Sequence, residues 1–188
     1  MIPYTTTARA DTGVSNVTLG IWLFLASEVM LFGALFSSYA LLRVAAPAWP
    51  SGLEVLSLPL GTTNTVTLAI MTGLIWRARS APWPAARPLM LIGCALAVVF
   101  LGFKGVEYSA EIRTGRVPSV NTFFATYFTL TGLHALHVIG GLGANLWALS
   151  GVRRVGMEMT AGRIRALSRY WVFVDLVWMI IFLLFYLS

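Results

Sequence analysis

The residues of this sequence that could do chemistry are a few ionisable and amide side chains inside long apolar stretches. They are Glu28, Asn64, Glu107, His134, His137 and Asp175. A charge at the depth of a lipid bilayer is costly, so a group of this kind is either paired for structural reasons or has a functional role. The chemistry open to these six is proton exchange, metal binding, or hydrogen bonding between helices.

Both histidines of the chain lie in one apolar segment, three residues apart, as His134 and His137. At about 100° per residue, His134 belongs to a polar stripe along one helical face, with His137 at its edge. The stripe consists of Tyr127, Thr131, His134, Gly141 and Asn145. Two histidines on one helical turn cannot be the two axial ligands of a haem, which lie on opposite sides of the iron. A metal site of His134, His137 and Glu28 is geometrically possible, but we expect the stripe to make interhelical hydrogen bonds.

The composition limits the class of protein that can contain these residues. Of 188 residues, 58% are hydrophobic and 11% are charged, with a net charge of +6, whereas a soluble domain has about 25% charged residues. The sequence therefore predicts an integral membrane protein, and it excludes a disordered chain or a soluble nucleic-acid binder. The single cysteine, Cys94, excludes internal disulfides, cysteine-based zinc sites and iron–sulfur clusters.

Five apolar stretches are long enough to cross a bilayer of about 30 Å as helices of about 20 residues. They lie near 17–42, 56–76, 88–108, 123–149 and 167–187. Prolines, among them Pro82 and Pro88, are predicted to keep the second link from being helical, and Gly156 and Gly162 to do the same in the fourth link. The prediction is an all-α protein whose residues 1–188 form a single transmembrane domain of five helices.

Basic residues are distributed unequally between the two ends of this bundle. The N-terminal segment and the second and fourth links carry nine of them, Arg9, Arg77, Arg79, Arg87, Arg153, Arg154, Arg163, Arg165 and Arg169. The opposite end carries four, Arg43, Lys104, Arg113 and Arg116. By the positive-inside rule, the N-terminus is predicted to be cytoplasmic and the C-terminus to lie on the outer side.

The depth of each ionisable residue suggests its role. Glu28 lies about 17 Å along the first helix, close to the bilayer midplane, so it is expected to join helices or to take part in proton or lipid chemistry. Lys104 and Glu107 lie at the outer end of the third helix, where they could reach the interface or pair with each other. The first, fourth and fifth helices each carry an ionisable group, and we expect these groups to converge in one interior.

Five segments of the sequence carry a family resemblance in the same order along the chain. They are residues 20–32 with Glu28, Asn64-Thr65, Glu107-Tyr108, residues 131–138 with both histidines, and residues 170–178 with Asp175. Together they cover almost the whole chain and resemble subunit III of the haem–copper oxidases. The sequence is most similar to cytochrome c oxidase subunit III in its five-helix bacterial form.

The resemblance implies a non-catalytic core subunit of a proton-translocating oxidoreductase complex in aerobic respiratory electron transport. Such a subunit has no haem, copper or other metal of its own and contacts subunit I, with subunit II and other oxidase subunits in the same complex. It stabilises subunit I, supports proton uptake and binds phospholipid, and it does not bind nucleic acid. Glu28 would correspond to the family's carbodiimide-reactive carboxyl, and the location would be the bacterial plasma membrane, as a multi-pass protein.

One difference from the family leaves alternatives open. Mitochondrial-type members have seven helices and this chain lacks the first two, which form much of the lipid cleft, so no lipid-binding residue is transferred. Five-helix members include subunits of quinol oxidases and a paralogue associated with nitric oxide reductase. A cytochrome b type of redox protein and a small transporter are further alternatives, although the chain has no inverted repeat of the kind found in transporters.

Overall fold

The computed structural model describes residues 5–188, apart from the side chains of residues 152–155, so Arg153 and Arg154 of the predicted charge asymmetry lie outside the described side chains. The prediction of an all-α protein is confirmed for this part of the chain. Its helices are α1 (Asn16–Ala45), α2 (Gly52–Val55), α3 (Leu58–Ala78), α4 (Trp83–Arg113), α5 (Thr122–Ser150) and α6 (Val152–Tyr186).

Four of the described helical segments are long and apolar enough to cross a membrane. They are α1, α3, α4 and the part of α6 from Gly156 to Tyr186. Helix α5 is long as well, with 29 residues, but its two histidines, Asn145 and several threonines lower its mean hydropathy. Its polar face is turned inward, where His134 and Asn145 are fully buried.

The start of α4 differs from the prediction. The helix begins at Trp83, after Pro82, and it continues through Pro88. The prediction that Pro88 belongs to a non-helical link is therefore wrong. Proline is tolerated in the first turn of a helix because the N–H groups there have no partner within the helix. Pro88 follows one turn later and costs the helix a single main-chain hydrogen bond.

The start of α6 also differs, because most of the predicted link 151–169 is helical. Gly156, with φ 80° and ψ 171°, interrupts the helix, whereas Gly162 lies within it. The arginines of this segment are typical of a loop in the sequence. In the structure they lie between buried residues that recur every fourth position, as in a helix: Thr160, Ile164 and Ser168. Ile164 packs in a small cluster with Ala78, Ala86, Met90 and Ala148 at this end of the bundle. An amphipathic extension of α6 therefore covers the ends of α3, α4 and α5.

Helices α3 to α6 form the central bundle, and its interior is unusually aromatic. Trp171 and Trp178 of α6, Phe100 of α4 and Tyr127 of α5 are fully buried there. Helix α1 lies at the edge of this bundle and contacts α5 and α6. Its buried residues, Leu25, Phe32 and Tyr39, recur every seventh position, so α1 contributes one narrow stripe to the core.

The C-terminal end of α6 is held by Tyr39 of α1 and by the segment between α1 and α3. The Tyr39 hydroxyl donates to the Leu184 carbonyl at 2.7 Å, and the Gly52 amide donates to the Ser188 carbonyl at 2.9 Å. A side chain at position 52 would overlap the carbonyl of Phe185. These contacts satisfy carbonyl groups that a helix end leaves without a partner.

The contact between α5 and α6 depends on the absence of a side chain at Gly141. A Cβ atom there would lie 2.6 Å from the Trp171 ring and 2.7 Å from the Tyr170 ring. We expect Gly141→Ala to destabilise the protein by about 1–3 kcal/mol through overpacking. Gly140→Ala and Gly143→Ala are matched controls on the same helix, because nothing lies within 4 Å of a Cβ at either position. Thermal unfolding of the purified protein measures the difference, and equal melting temperatures for all three variants would contradict this packing.

Candidate functional site

A carboxyl–imidazole pair joins α1 to α5 within the apolar region. Glu28 Oε2 and His137 Nε2 are 2.7 Å apart, and each side chain is 13% exposed. The His137 ring lies edge-on to Phe32, with centroids 5.0 Å apart. The pair is thus mostly shielded, but it lies at the edge of the central bundle, where α1 packs.

The second ring nitrogen of His137 defines where the protons lie. His137 Nδ1 is 2.8 Å from the Leu133 carbonyl oxygen, and a carbonyl oxygen only accepts hydrogen bonds, so Nδ1 carries a hydrogen. The contact between Nε2 and Glu28 then contains one further proton. Either the Glu28 carboxyl donates to a neutral imidazole, or an imidazolium donates to the carboxylate. Without that proton, two acceptor atoms would face each other at hydrogen-bonding distance.

The backbone at His137 is held by the third helix that meets this site. The Tyr170 hydroxyl of α6 donates to the His137 carbonyl at 2.7 Å. Phe24 of α1 lies against the Tyr170 ring, with centroids 6.0 Å apart. The carboxyl–imidazole pair therefore has a position defined by α1, α5 and α6 together.

His134 lies apart from this pair, in the centre of the bundle. Its ring packs against Phe100 and Trp178, with centroid distances of 5.7 and 5.2 Å, and its two ring nitrogens have no hydrogen-bond partner among the described residues. The alternative metal site of His134, His137 and Glu28 is therefore not assembled. Across the described residues, no group of three or more His, Cys, Asp or Glu side chains could hold a metal ion.

The predicted convergence of the ionisable groups in one interior holds only in part: Glu28 meets His137, whereas the other groups occupy separate places. Asp175 is half-buried on α6, and its Oδ1 atom has no hydrogen-bond partner among the described residues. Asn64 is fully buried near the start of α3, and neither polar atom of its amide has a partner within the described structure. Only Glu28 and His137, of the six candidates, contact each other directly.

Glu107 belongs to a second polar cluster, centred on Lys104, and the alternative that these two residues pair is confirmed. Lys104 Nζ lies 2.8 Å from Glu107 Oε2 and donates to Tyr127 at 3.1 Å and to Tyr186 at 3.0 Å. The Tyr186 hydroxyl donates to Glu107 Oε1 at 2.6 Å. Lys104 and Glu107 are only 3% and 1% exposed, so this is a buried ion pair whose ammonium donors are all used.

The polar stripe of α5 makes the expected hydrogen bonds between helices. Asn145 accepts from the Trp171 indole at 3.3 Å, and the Thr131 hydroxyl lies 2.5 Å from that of Tyr108. On α3, Thr65 accepts from the Trp178 indole at 3.0 Å. The stripe is therefore largely structural, whereas His137 at its edge contacts Glu28 of α1.

Sequence reasoning missed the tyrosines of the Lys104 cluster. Tyr127 was placed on the α5 stripe, but nothing in the sequence links Tyr186 to Glu107, since 79 positions separate them. The sequence feature that could have indicated such tyrosines is the Lys104–Glu107 pair. A lysine and a glutamate three residues apart in an apolar segment need neighbouring hydrogen-bond donors and acceptors.

The fold and this site define a multi-pass α-helical membrane protein with buried polar pairs. Over residues 5–188 the chain matches the family described as cytochrome c oxidase subunit III. The chain therefore belongs to the cytochrome c oxidase subunit III family, as its sequence motifs indicated.

Three relatives illustrate the range of the family. The chain is 31% identical to cytochrome bo(3) ubiquinol oxidase subunit 3 of Pseudomonas aeruginosa, over 94% of this chain and 87% of the relative. It is 31% identical to a probable quinol oxidase subunit 3 of Staphylococcus haemolyticus, over 97% and 94% of the two chains. It is also 31% identical to cytochrome c oxidase subunit 3 of Bacillus sp. strain PS3, over 92% and 86%.

The Lys104 cluster generates a test of how the bundle is held together. Lys104→Met leaves the Glu107 carboxylate buried without its cation, and we expect a loss of about 3–5 kcal/mol in stability. Adding Glu107→Gln to Lys104→Met removes the stranded charge and should restore part of that loss. Arg113→Gln, at an exposed position on the same helix, is the control. Thermal unfolding of the complex measures all three, and a double variant less stable than Lys104→Met would contradict the buried ion pair.

Proposed function

We propose that this chain is a non-catalytic core subunit III of a terminal haem–copper oxidase in aerobic electron transport. It stabilises subunit I and supports proton uptake, while the haems and copper reside in partner subunits. Family membership supports association with oxidase subunits. The observation that carries the proton role is the Glu28–His137 contact, because it places one exchangeable proton in a mostly shielded intramembrane site.

The physical basis of this role is the charge of the pair. With its proton in place the pair is neutral overall, as either two neutral groups or an ion pair. Releasing the proton leaves one net negative charge in an apolar environment, which is costly. The pair therefore retains its proton until a replacement can arrive, and its 13% exposure leaves an edge at which a partner subunit can contact it. Subunit I would be the acceptor.

We propose cytochrome c as the electron donor, with a quinol as the second candidate. Cytochrome c is supported by the family description and by the Bacillus relative. A quinol is supported by the Pseudomonas and Staphylococcus relatives, both named as quinol oxidase subunits. Oxygen consumption by the purified complex with reduced cytochrome c and with a quinol distinguishes the two donors, and its absorption spectrum identifies the haems.

We also propose that α5 crosses the membrane, which gives five spans, with the N-terminus in the bacterial cytoplasm. At about 1.5 Å per residue, α5 is long enough to cross a 30 Å hydrocarbon core. It contacts α1, α4 and α6, three of the apolar spans. We also expect phospholipid to accompany the protein, because its membrane-spanning helices lie in a lipid bilayer.

Impermeant thiol labelling of intact cells tests this topology. In a Cys94→Ala background, Ser80→Cys lies in the link between α3 and α4, and Ser119→Cys lies in the link between α4 and α5, both at exposed positions. We expect Ser119→Cys to be labelled from outside and Ser80→Cys to be labelled only after the cells are opened. The reverse pattern would overturn the orientation.

The proposed role of Glu28 is tested by Glu28→Gln in the assembled oxidase. Glutamine preserves the shape, and its amide donates a hydrogen bond to His137 Nε2, but it cannot release the shared proton. We expect normal subunit content and normal initial oxygen reduction, followed by slower proton uptake or a shorter working life. Glu28→Ala should also loosen the contact between α1 and α5, by about 1–3 kcal/mol for the unsatisfied imidazole. Normal haem spectra with no oxygen reduction from the first turnover would place Glu28 in the chemistry and refute a supporting role.

A further inference from the structure

Asp175 is an ionisable residue that the carboxyl–imidazole pair does not use, and it lies deep in the membrane. It belongs to the apolar segment Gly156–Tyr186 of α6. At about 1.5 Å per residue, Asp175 is roughly 17 Å from the outer end of this segment at Tyr186, close to the middle of a hydrocarbon core of about 30 Å. Lipid headgroups do not reach this depth.

The described part of the chain supplies no cation to the Asp175 carboxyl and leaves one of its oxygens without a donor. The ion pairs among the described residues do not include Asp175. Its Oδ1 atom is buried and has no hydrogen-bond partner in the same part of the chain. An acceptor left unsatisfied at this depth is costly, so we looked for the direction from which a donor could come.

Asp175 lies at the seam between α3 and α6. On its inner side the Thr72 hydroxyl of α3 donates to the Trp171 carbonyl at 3.5 Å. On its outer side the Trp178 indole donates to Thr65 of α3 at 3.0 Å. Asp175 is therefore located between these two contacts, at the level where the two helices pack side by side.

The seam is open toward the outside of the bundle. Asp175 is half-buried, and Ala69, which lies between the two threonines on α3, is exposed. On α6, the neighbouring Leu176 and Met179 are 59% and 40% exposed. Leu176 also lines a groove of about 700 Å³ between α1, α3 and α6. We call the surface formed by Ala69, Asp175, Leu176 and Met179 the Asp175 furrow.

We propose that the Asp175 furrow docks a transmembrane helix of a partner oxidase subunit, and that this helix presents a hydrogen-bond donor to the Asp175 carboxyl. Ionisable groups inside a membrane are found facing protein and paired there. The single methyl group of Ala69 allows a second helix to approach closely, as small residues do between membrane helices. The inference rests on the proposed function, which supplies the partner subunits, and it adds the surface and the chemistry of one contact.

The depth and polarity of Asp175 favour a helix over the other possible occupants. An acyl chain fills the furrow but has no donor, and its headgroup is about 15 Å away at the membrane surface. A water molecule has a donor, but at this depth the furrow opens to hydrocarbon. A second copy of this chain, related by a two-fold axis, would bring the same acceptor against the first.

Site-specific photocrosslinking in the intact purified oxidase tests which molecule occupies the furrow. Benzoylphenylalanine is placed at Leu176 in the furrow or, as a control, at Ile70, which is 52% exposed on another face of α3. We expect the probe at Leu176 to label a membrane-spanning peptide of another oxidase subunit that contains a donor side chain, and the probe at Ile70 not to label that peptide. Adducts at Leu176 with lipid alone, or with another copy of this chain, would overturn the proposal.

Substitution of Asp175 tests the hydrogen bond itself. Asp175→Leu leaves the donor of the partner helix unsatisfied, so the affinity of this chain for the rest of the complex should fall about tenfold. Asp175→Asn keeps an acceptor oxygen, and its affinity should lie between those of Asp175→Leu and the wild type. Glu158→Leu, which removes an exposed carboxyl of α6 outside the furrow, should leave the affinity unchanged. Native mass spectrometry after serial dilution in detergent measures these affinities.

A further variant fills the furrow without changing charge. Ala69→Trp should weaken association as strongly as Asp175→Leu, whereas Ile70→Trp on the neighbouring face of α3 should not. Wild-type affinity in both Asp175→Leu and Ala69→Trp would overturn the docking surface and leave the proposed function intact. A wild-type protein that purifies without any other oxidase subunit would instead contradict the proposed function, and the docking surface with it.

Discussion

The ammonium group of Lys104 must be neutralised inside an apolar bundle, and this requirement fixes how three helices meet. Its partners come from its own helix, from α5 and from α6, as Glu107, Tyr127 and Tyr186. With the last turn of α6 held there, the Leu184 carbonyl of that turn accepts from Tyr39, and the Ser188 carbonyl just beyond the helix accepts from Gly52. A single buried charge thus determines the register of α4, α5 and α6 at this end of the bundle.

The division between a rigid bundle and a peripheral helix explains where the candidate site lies. Inside the bundle the interhelical hydrogen bonds of Asn145 and Thr131 serve packing, because both groups are fully buried. Glu28 is on α1, which contributes only one stripe to the core, so its contact with His137 is shielded but reachable. This position suits the proton exchange proposed for the pair, since a fully enclosed proton cannot be replaced and a fully exposed one is not retained.

The sequence allowed much of the fold to be predicted, because its signals were local. Long apolar segments marked most helices, and the three-residue spacing of Lys104 and Glu107 suggested their pairing. The early start of α6 was missed because its arginines resemble a loop, although Ile164 and its helical neighbours are buried. The partner of Glu28 could not be chosen from sequence: His134 and His137 are on adjacent faces of one helix, and only the packing of α1 decides between them.

The claim that Glu28 and His137 share one proton is tested most directly by infrared difference spectroscopy of the purified complex. Spectra of wild type and Glu28→Gln are recorded across a pH titration, with ¹³C-labelled glutamate to identify carboxyl bands. A shared proton predicts a single one-proton transition, lost in Glu28→Gln, that shifts the carboxyl and imidazole bands at the same pH. Two transitions at different pH values, or a carboxyl transition that leaves the His137 bands unchanged, would contradict the shared proton.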